Sequence, residues 1–185
     1  MGQAQISENR EFARNKALEL FGRGPALLSQ ALKSCPRKMW LFRSPSIRSS
    51  IHDVVLRLAD SEAQVYVQCR QFISEPGSEV SMYDATAGAS TLGYFHQSTK
   101  DGLSLIVRLR STTYKLLCSI PDSVWTHTAR DARYGVLSLE GWLSIQARYI
   151  PRQIELIQLA YADWARTARY RRRATSECLL PNCNV

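Results

Sequence analysis

The sequence predicts an all-α fold, an antiparallel four-helix bundle. Three observations predict it. Four segments, each of about 25–30 residues, carry apolar side chains at the three- and four-residue spacing of a helix. Short stretches with Pro, Gly or mixed charge separate them. No stretch alternates apolar and polar long enough to make a convincing strand. With short connections, such helices pack into a bundle.

The first helix is expected from about Ser7 to Ser34, on Phe12, Leu18, Phe21, Leu27, Leu28 and Leu32. Gly22-Arg23-Gly24-Pro25 interrupts it, and a break or kink is expected at Gly24, because Pro suits a first helical turn better than an interior one. Cys35-Pro36 ends it. Pro45-Ser46 opens the second helix with Ser46 as N-cap. Its seam is Ile47, Ile51, Val54, Leu58, Val65 and Phe72, and Glu75-Pro76-Gly77 stops it. Residues 78–90 read as a loop. The third helix is expected from about Ser90 to Ser119, on Leu92, Phe95, Leu103, Ile106, Leu109, Leu116 and Leu117. Trp125 to Val136 reads as an ordered connection. The fourth helix starts after Ser138, with Glu140 in its first turn, and is expected to kink at Pro151, where one backbone hydrogen bond is lost.

The composition bounds the answer. A chain of 185 residues, 45% hydrophobic with mean hydropathy −0.24, reads as one soluble globular domain, residues 1–165, with a basic, Cys-containing tail over 166–185. No apolar run reaches the roughly 18 residues that a membrane span requires, so no membrane is expected. The polar N-terminus lacks the apolar centre of a secretory signal, which makes a cytoplasmic location the expectation. The five cysteines form no C-x-x-C pair and no zinc framework, so free thiols are expected; Cys178 and Cys183 are close enough in sequence to bridge under oxidation.

Polar residues on the apolar seams are the candidate functional groups. Arg57 follows Val54 by three, Ser61 follows Arg57 by four and Glu62 follows Leu58 by four, which places them on or beside the second helix's stripe. Trp142, Gln146, Tyr149, Gln153, Ile157 and Ala160 make one stripe on the fourth. Tyr149 and Gln153, four apart, are positioned to face a cleft. Periodicity alone leaves open a plainer reading, in which Arg57 and Glu62 are exposed.

Three segments resemble the DinB/YfiT-like four-helix-bundle superfamily over roughly residues 10–160. Ser50-Ile51 through Arg57-Leu58-Ala59-Asp60-Ser61-Glu62 is similar to its "HLADSE" segment. Trp125 to Gly135, then Ser138-Leu139 and Trp142-Leu143, is similar to "WxR…HPxYG…TLxxWL". Ala147 to Ile154 is similar to "AxHxxxHI". The resemblance implies the bundle fold, frequent dimers, and a divalent metal such as Zn or Ni held by three histidines. It also implies thiol-transfer or isomerase chemistry on small cofactor thiols, the metal lowering the thiol's pKa. At the three histidine positions this chain carries Arg57, Tyr149 and Gln153. Arg offers no lone pair, and Tyr and Gln are poor ligands for such an ion, so no metal cofactor is expected. His52, His96 and His127 share no ligand spacing that would replace them.

The expectation is therefore that the Arg57 guanidinium stands in the metal's place, with Glu62 and Tyr149 as partners and Gln153 accepting through its carbonyl. An open cleft would bind a small anionic or thiol ligand; a filled one would be structural. The expected function is that of a non-catalytic ligand-binding or interaction protein, a homodimer, with a degenerate metal cleft. One alternative is a thiol S-transferase or isomerase in the same cleft. Another is nucleic-acid or anionic-surface binding by the tail, where five arginines fall between Arg166 and Arg173 beside Tyr161, Trp164 and Tyr170. Against that stands a solvated helix end whose cations suit the helix dipole. No nucleotide or serine-hydrolase motif is present.

Overall fold

The computed structural model describes residues 2–80 and 92–178. Its long elements are α1 (Gly2–Lys33), α2 (Ile51–Ser74), α3 (Thr99–Leu117), α4 (Leu139–Ala147) and α5 (Tyr149–Cys178). A small sheet joins β1 (Glu79–Val80), β2 (Thr128–Asp131) and β3 (Gly135–Ser138), with β1 parallel to β2 and β2 antiparallel to β3. Among the described residues no helix is long and apolar enough to cross a membrane.

The bundle is a ring in which α1 and α2 each pack on both α3 and α5. Ser61 meets Tyr149 while Asp163 reaches back to Ser44 and Ser46 before α2, so α2 and α5 run antiparallel. Gly22 packs on Tyr114, while the later α1 residues Leu28 and Leu32 share a cavity wall with Leu103 and Ile106, so α1 and α3 are antiparallel too. The α2/α3 seam is parallel, because Leu56 meets Gly102 and Glu62 meets Arg110. The long connection between α2 and α3 makes that direction accessible.

Several boundaries differ from the sequence reading for definable reasons. α1 does not break at Gly24; it runs unbroken from Gly2 to Lys33 with Pro25 inside. The two glycines serve close helix approach instead. A Cβ on Gly22 would lie 2.7 Å from the Tyr114 ring, and one on Gly24 would lie 2.8 Å from Ile150 Cδ1. α2 is capped by Ser50, not Ser46. Ser50 and Asp53 form a reciprocal capping box, with Ser50 N donating to Asp53 at 2.9 Å and Asp53 N to Ser50 Oγ at 3.1 Å. Ser46 is spent on Asp163.

α3 starts at Thr99 behind an Ser98 cap rather than near Ser90, and Phe95, expected on its stripe, is 80% exposed on a short 3-10 turn. Most of the expected loop at 78–90 (residues 81–90) lies outside the described residues, as does Cys183. The connection before α4, expected to hold no strand, is a hairpin. Asp131 Oδ1 accepts from the amides of Arg133 and Tyr134, and Gly135 takes a φ of 74°, which closes a three-residue loop. Strands of four residues are too short to show alternation.

The fourth helix is interrupted at Arg148, three residues before Pro151. Pro151 has no N–H to give the Ala147 carbonyl, four residues back, and its ring crowds that carbonyl. The chain therefore ends α4 at Ala147 and restarts, placing Pro151 in the first turn of α5, where a missing donor costs nothing. α5 then continues through Arg166–Arg173, with Arg166 paired to Asp163.

The core has two apolar clusters along the bundle. One gathers Leu28, Leu32, Val54, Leu58, Ile106, Ile150 and Ile157; the other gathers Phe21, Val65, Cys69, Phe72, Leu117, Trp142 and Leu143. At the waist between them lies a buried ion pair, Arg110 to Glu62, with side chains 1% and 0% exposed. Arg110 also donates to the Gln146 carbonyl at 3.3 Å and lies 3.9 Å over the Phe21 ring. At the end of α4 the Arg148 amide reaches the Ile145 carbonyl at 3.2 Å, and Arg110 adds a side-chain donor and a cation at the Gln146 carbonyl.

Candidate functional site

Three of the four expected site residues, Arg57, Tyr149 and Gln153, lie on α2 and α5, which meet through Ser61 and Tyr149. Ser61 Oγ donates to the Arg57 carbonyl at 2.8 Å and lies 3.1 Å from the Tyr149 hydroxyl. Ser61 has a single proton, already given to Arg57, so the phenol of Tyr149 donates to Ser61. This bond stitches α2 to α5 one helical turn from each of the other two positions. Because the helices are antiparallel, the turn of α2 before Ser61, which carries Arg57, is level with the turn of α5 after Tyr149, which carries Gln153. Arg57, Tyr149 and Gln153 are all half-buried. Among the described residues, no hydrogen bond or ion pair is made by the Arg57 guanidinium.

Glu62 does not join them. Five residues beyond Arg57 is about 140° around a helix, so Glu62 points into the bundle while Ser61, four residues on, stays on the seam. Its partner is Arg110 of α3, which the sequence reading did not consider. Burial pushes the Glu62 carboxyl up, against the pull of Arg110. The signal for Arg110 was available: Leu103, Ile106, Arg110, Thr113 and Leu117 follow a strict three-four spacing, with a cation where an apolar residue belongs.

The histidines are dispersed. His52 is buried, with Nε2 donating to the Tyr94 carbonyl at 2.8 Å and Nδ1 on Thr99 Oγ1 at 2.6 Å, so both ring nitrogens are occupied. His96 is exposed and His127 lies beside the hairpin. Cys35, Cys69 and Cys118 are free thiols, and burial pushes the Cys69 thiol up to about 12 despite Arg70, so it is a core group without nucleophilic character.

The donor set of the seam does not fit a transition-metal ion. A guanidinium has no free lone pair, the Tyr149 proton is held by Ser61, and an amide oxygen is a weak ligand. Among the described residues no group of three or more His, Cys, Asp or Glu side chains is gathered to hold one.

No protein-family model and no curated protein sequence matches the chain. Among solved structures it is similar to YfiT from Bacillus subtilis, described as a probable metal-dependent hydrolase with an unusual four-helix bundle topology. The TM-score is 0.72 at 19% identity, covering 80% of this chain and 85% of that one. This chain has the YfiT four-helix-bundle fold. In the YfiT fold seen here, a parallel α2/α3 seam faces an antiparallel α2/α5 seam on the other side of α2.

Proposed function

We propose that this chain is a divergent DinB/YfiT-like protein whose metal-ligand positions are taken by Arg57, Tyr149 and Gln153, and that it binds a small anion there without catalysis. The Tyr149–Ser61 hydrogen bond carries the reading, because it brings the α2 and α5 positions to one seam. The Tyr149 proton is committed, which leaves the Arg57 guanidinium and the Gln153 amide N–H groups as donors toward a ligand. A planar guanidinium with two or more free N–H groups suits a carboxylate or phosphate oxygen pair. YfiT itself is described as a probable metal-dependent hydrolase. Here the donor chemistry supports retention of the scaffold with a different occupant.

Calorimetric titration of the purified chain with inorganic phosphate tests the proposal. Binding near one per chain, lost in R57Q, is the expected result. Unchanged binding in R57Q would overturn it. Stoichiometric divalent metal in the purified protein would instead favour the thiol-transferring enzyme reading of the same seam.

A further inference from the structure

On the opposite side of the bundle, between α1 and α3, lies a concavity of about 540 Å³. Leu28 and Leu32 of α1 and Leu103 and Ile106 of α3 form its walls, and the turn carrying Cys35 and Trp40 closes one end. That volume falls within the roughly 300–1,000 Å³ of small-molecule sites. We propose that this cavity binds an amphipathic carboxylate, an acyl chain of medium length with its charged head at the mouth.

The wall chemistry defines the tail. It is aliphatic and aromatic, and the Cys35 thiol on it is buried, donates to the Ala31 carbonyl at 3.5 Å and is pushed up by burial, so it contributes apolar surface. The rim chemistry defines the head. Lys33, in the last turn of α1, and Arg37, directly after Pro36, both border the cavity, and among the described residues no carboxylate does. Arg37 is stacked 4.1 Å over the Trp40 ring, which holds its guanidinium near the mouth. An apolar slot with two cations and no acid at its edge complements an aliphatic chain ending in an anion, and disfavours a cationic amphiphile. A neutral chain would gain the wall contacts and lose the rim.

The test titrates the full chain with decanoate, decan-1-ol and decyltrimethylammonium, each below its micellar concentration, and reads binding by calorimetry. Peptide mass analysis locates the site through the rate at which iodoacetamide modifies Cys35. Decanoate should bind near one per chain and slow modification of Cys35, with decyltrimethylammonium at least about tenfold weaker. K33Q/R37Q, two exposed changes that leave the core intact, should weaken decanoate by about tenfold and leave decanol unchanged. V107W, which fills the mouth, should abolish both. Equal binding of the anion and the cation, no protection of Cys35, or no binding of decanoate would overturn the proposal. So would a change of oligomeric state in V107W without loss of decanoate, which would make this face a contact between copies.

Discussion

Replacing Arg110 with Met should destabilise the protein far more than replacing Arg110 and Glu62 together. In the single variant the Glu62 carboxyl, fully buried, loses its counter-charge, and the Gln146 carbonyl loses a donor. Breaking a buried pair in this way costs about 3–5 kcal/mol. Against a typical total of about 5–15 kcal/mol, that is a large fraction. At about 2–4 °C per kcal/mol for a domain of this size, Tm should fall by about 6–20 °C. The wild-type pair is imperfect, since Glu62 Oε2 and Arg110 Nε have no hydrogen-bond partner among the described residues. The double variant E62L/R110M removes both of those groups with both charges, so it should lie within about 2 kcal/mol of wild type or above it. Urea unfolding followed by circular dichroism measures all four corners of the cycle.

The pH dependence adds a second readout of the same pair. Burial raises the Glu62 carboxyl and Arg110 opposes that rise, so R110M raises it further. A carboxyl with a raised folded pKa favours the fold below its unfolded pKa and loses that contribution as pH rises. R110M should therefore be least stable, relative to wild type, at neutral pH, and should recover part of the loss on acidification. A cost for R110M below about 1 kcal/mol, or a double variant worse than both singles, would show that Arg110 does not neutralise a buried Glu62 charge.

Other outcomes follow from the same structure. S50A removes the hydroxyl half of the α2 capping box and should cost about 1 kcal/mol in urea unfolding. Asp163 is held well below the usual carboxylate range by the Ser44 hydroxyl, the Ser46 amide and hydroxyl, and Arg166, so its contribution is present at neutral pH and lost as pH falls below about 4. Asp53 behaves alike, since the Ser50 amide and hydroxyl outweigh its partial burial. Wild-type Tm should therefore fall on acidification, and D163N should be less stable than wild type at neutral pH with a flatter acid slope.

Much of the bundle was legible because its helices are long and amphipathic, and the stop at Glu75-Pro76-Gly77 was read to within a residue. What failed was local chemistry with two readings. Gly22-Arg23-Gly24-Pro25 suits a break or a tight crossing, and only the neighbours Tyr114 and Ile150 decide between them. Ser46 and Ser50 both suit an N-cap, and Asp53, three residues past Ser50, was the discriminating signal. The hairpin escaped because its strands are four residues each. On the candidate seam, the four-residue repeat of Tyr149 and Gln153 falls within α5, and the hydrogen bond from Tyr149 meets α2 at Ser61. Glu62 was misassigned because the stripe edge is a matter of tens of degrees, and its real partner lies on a third helix that periodicity does not bring near.

Under the proposed function, Arg57, Tyr149 and Gln153 stand at the three corners of a metal site. Restoring histidine at all three, as R57H/Y149H/Q153H, and measuring zinc by elemental analysis beside wild type tests it most directly. The triple variant should carry near-stoichiometric zinc and the wild type only background zinc. Background zinc in both, with the variant folded by circular dichroism, or a full equivalent already in wild type, would contradict it.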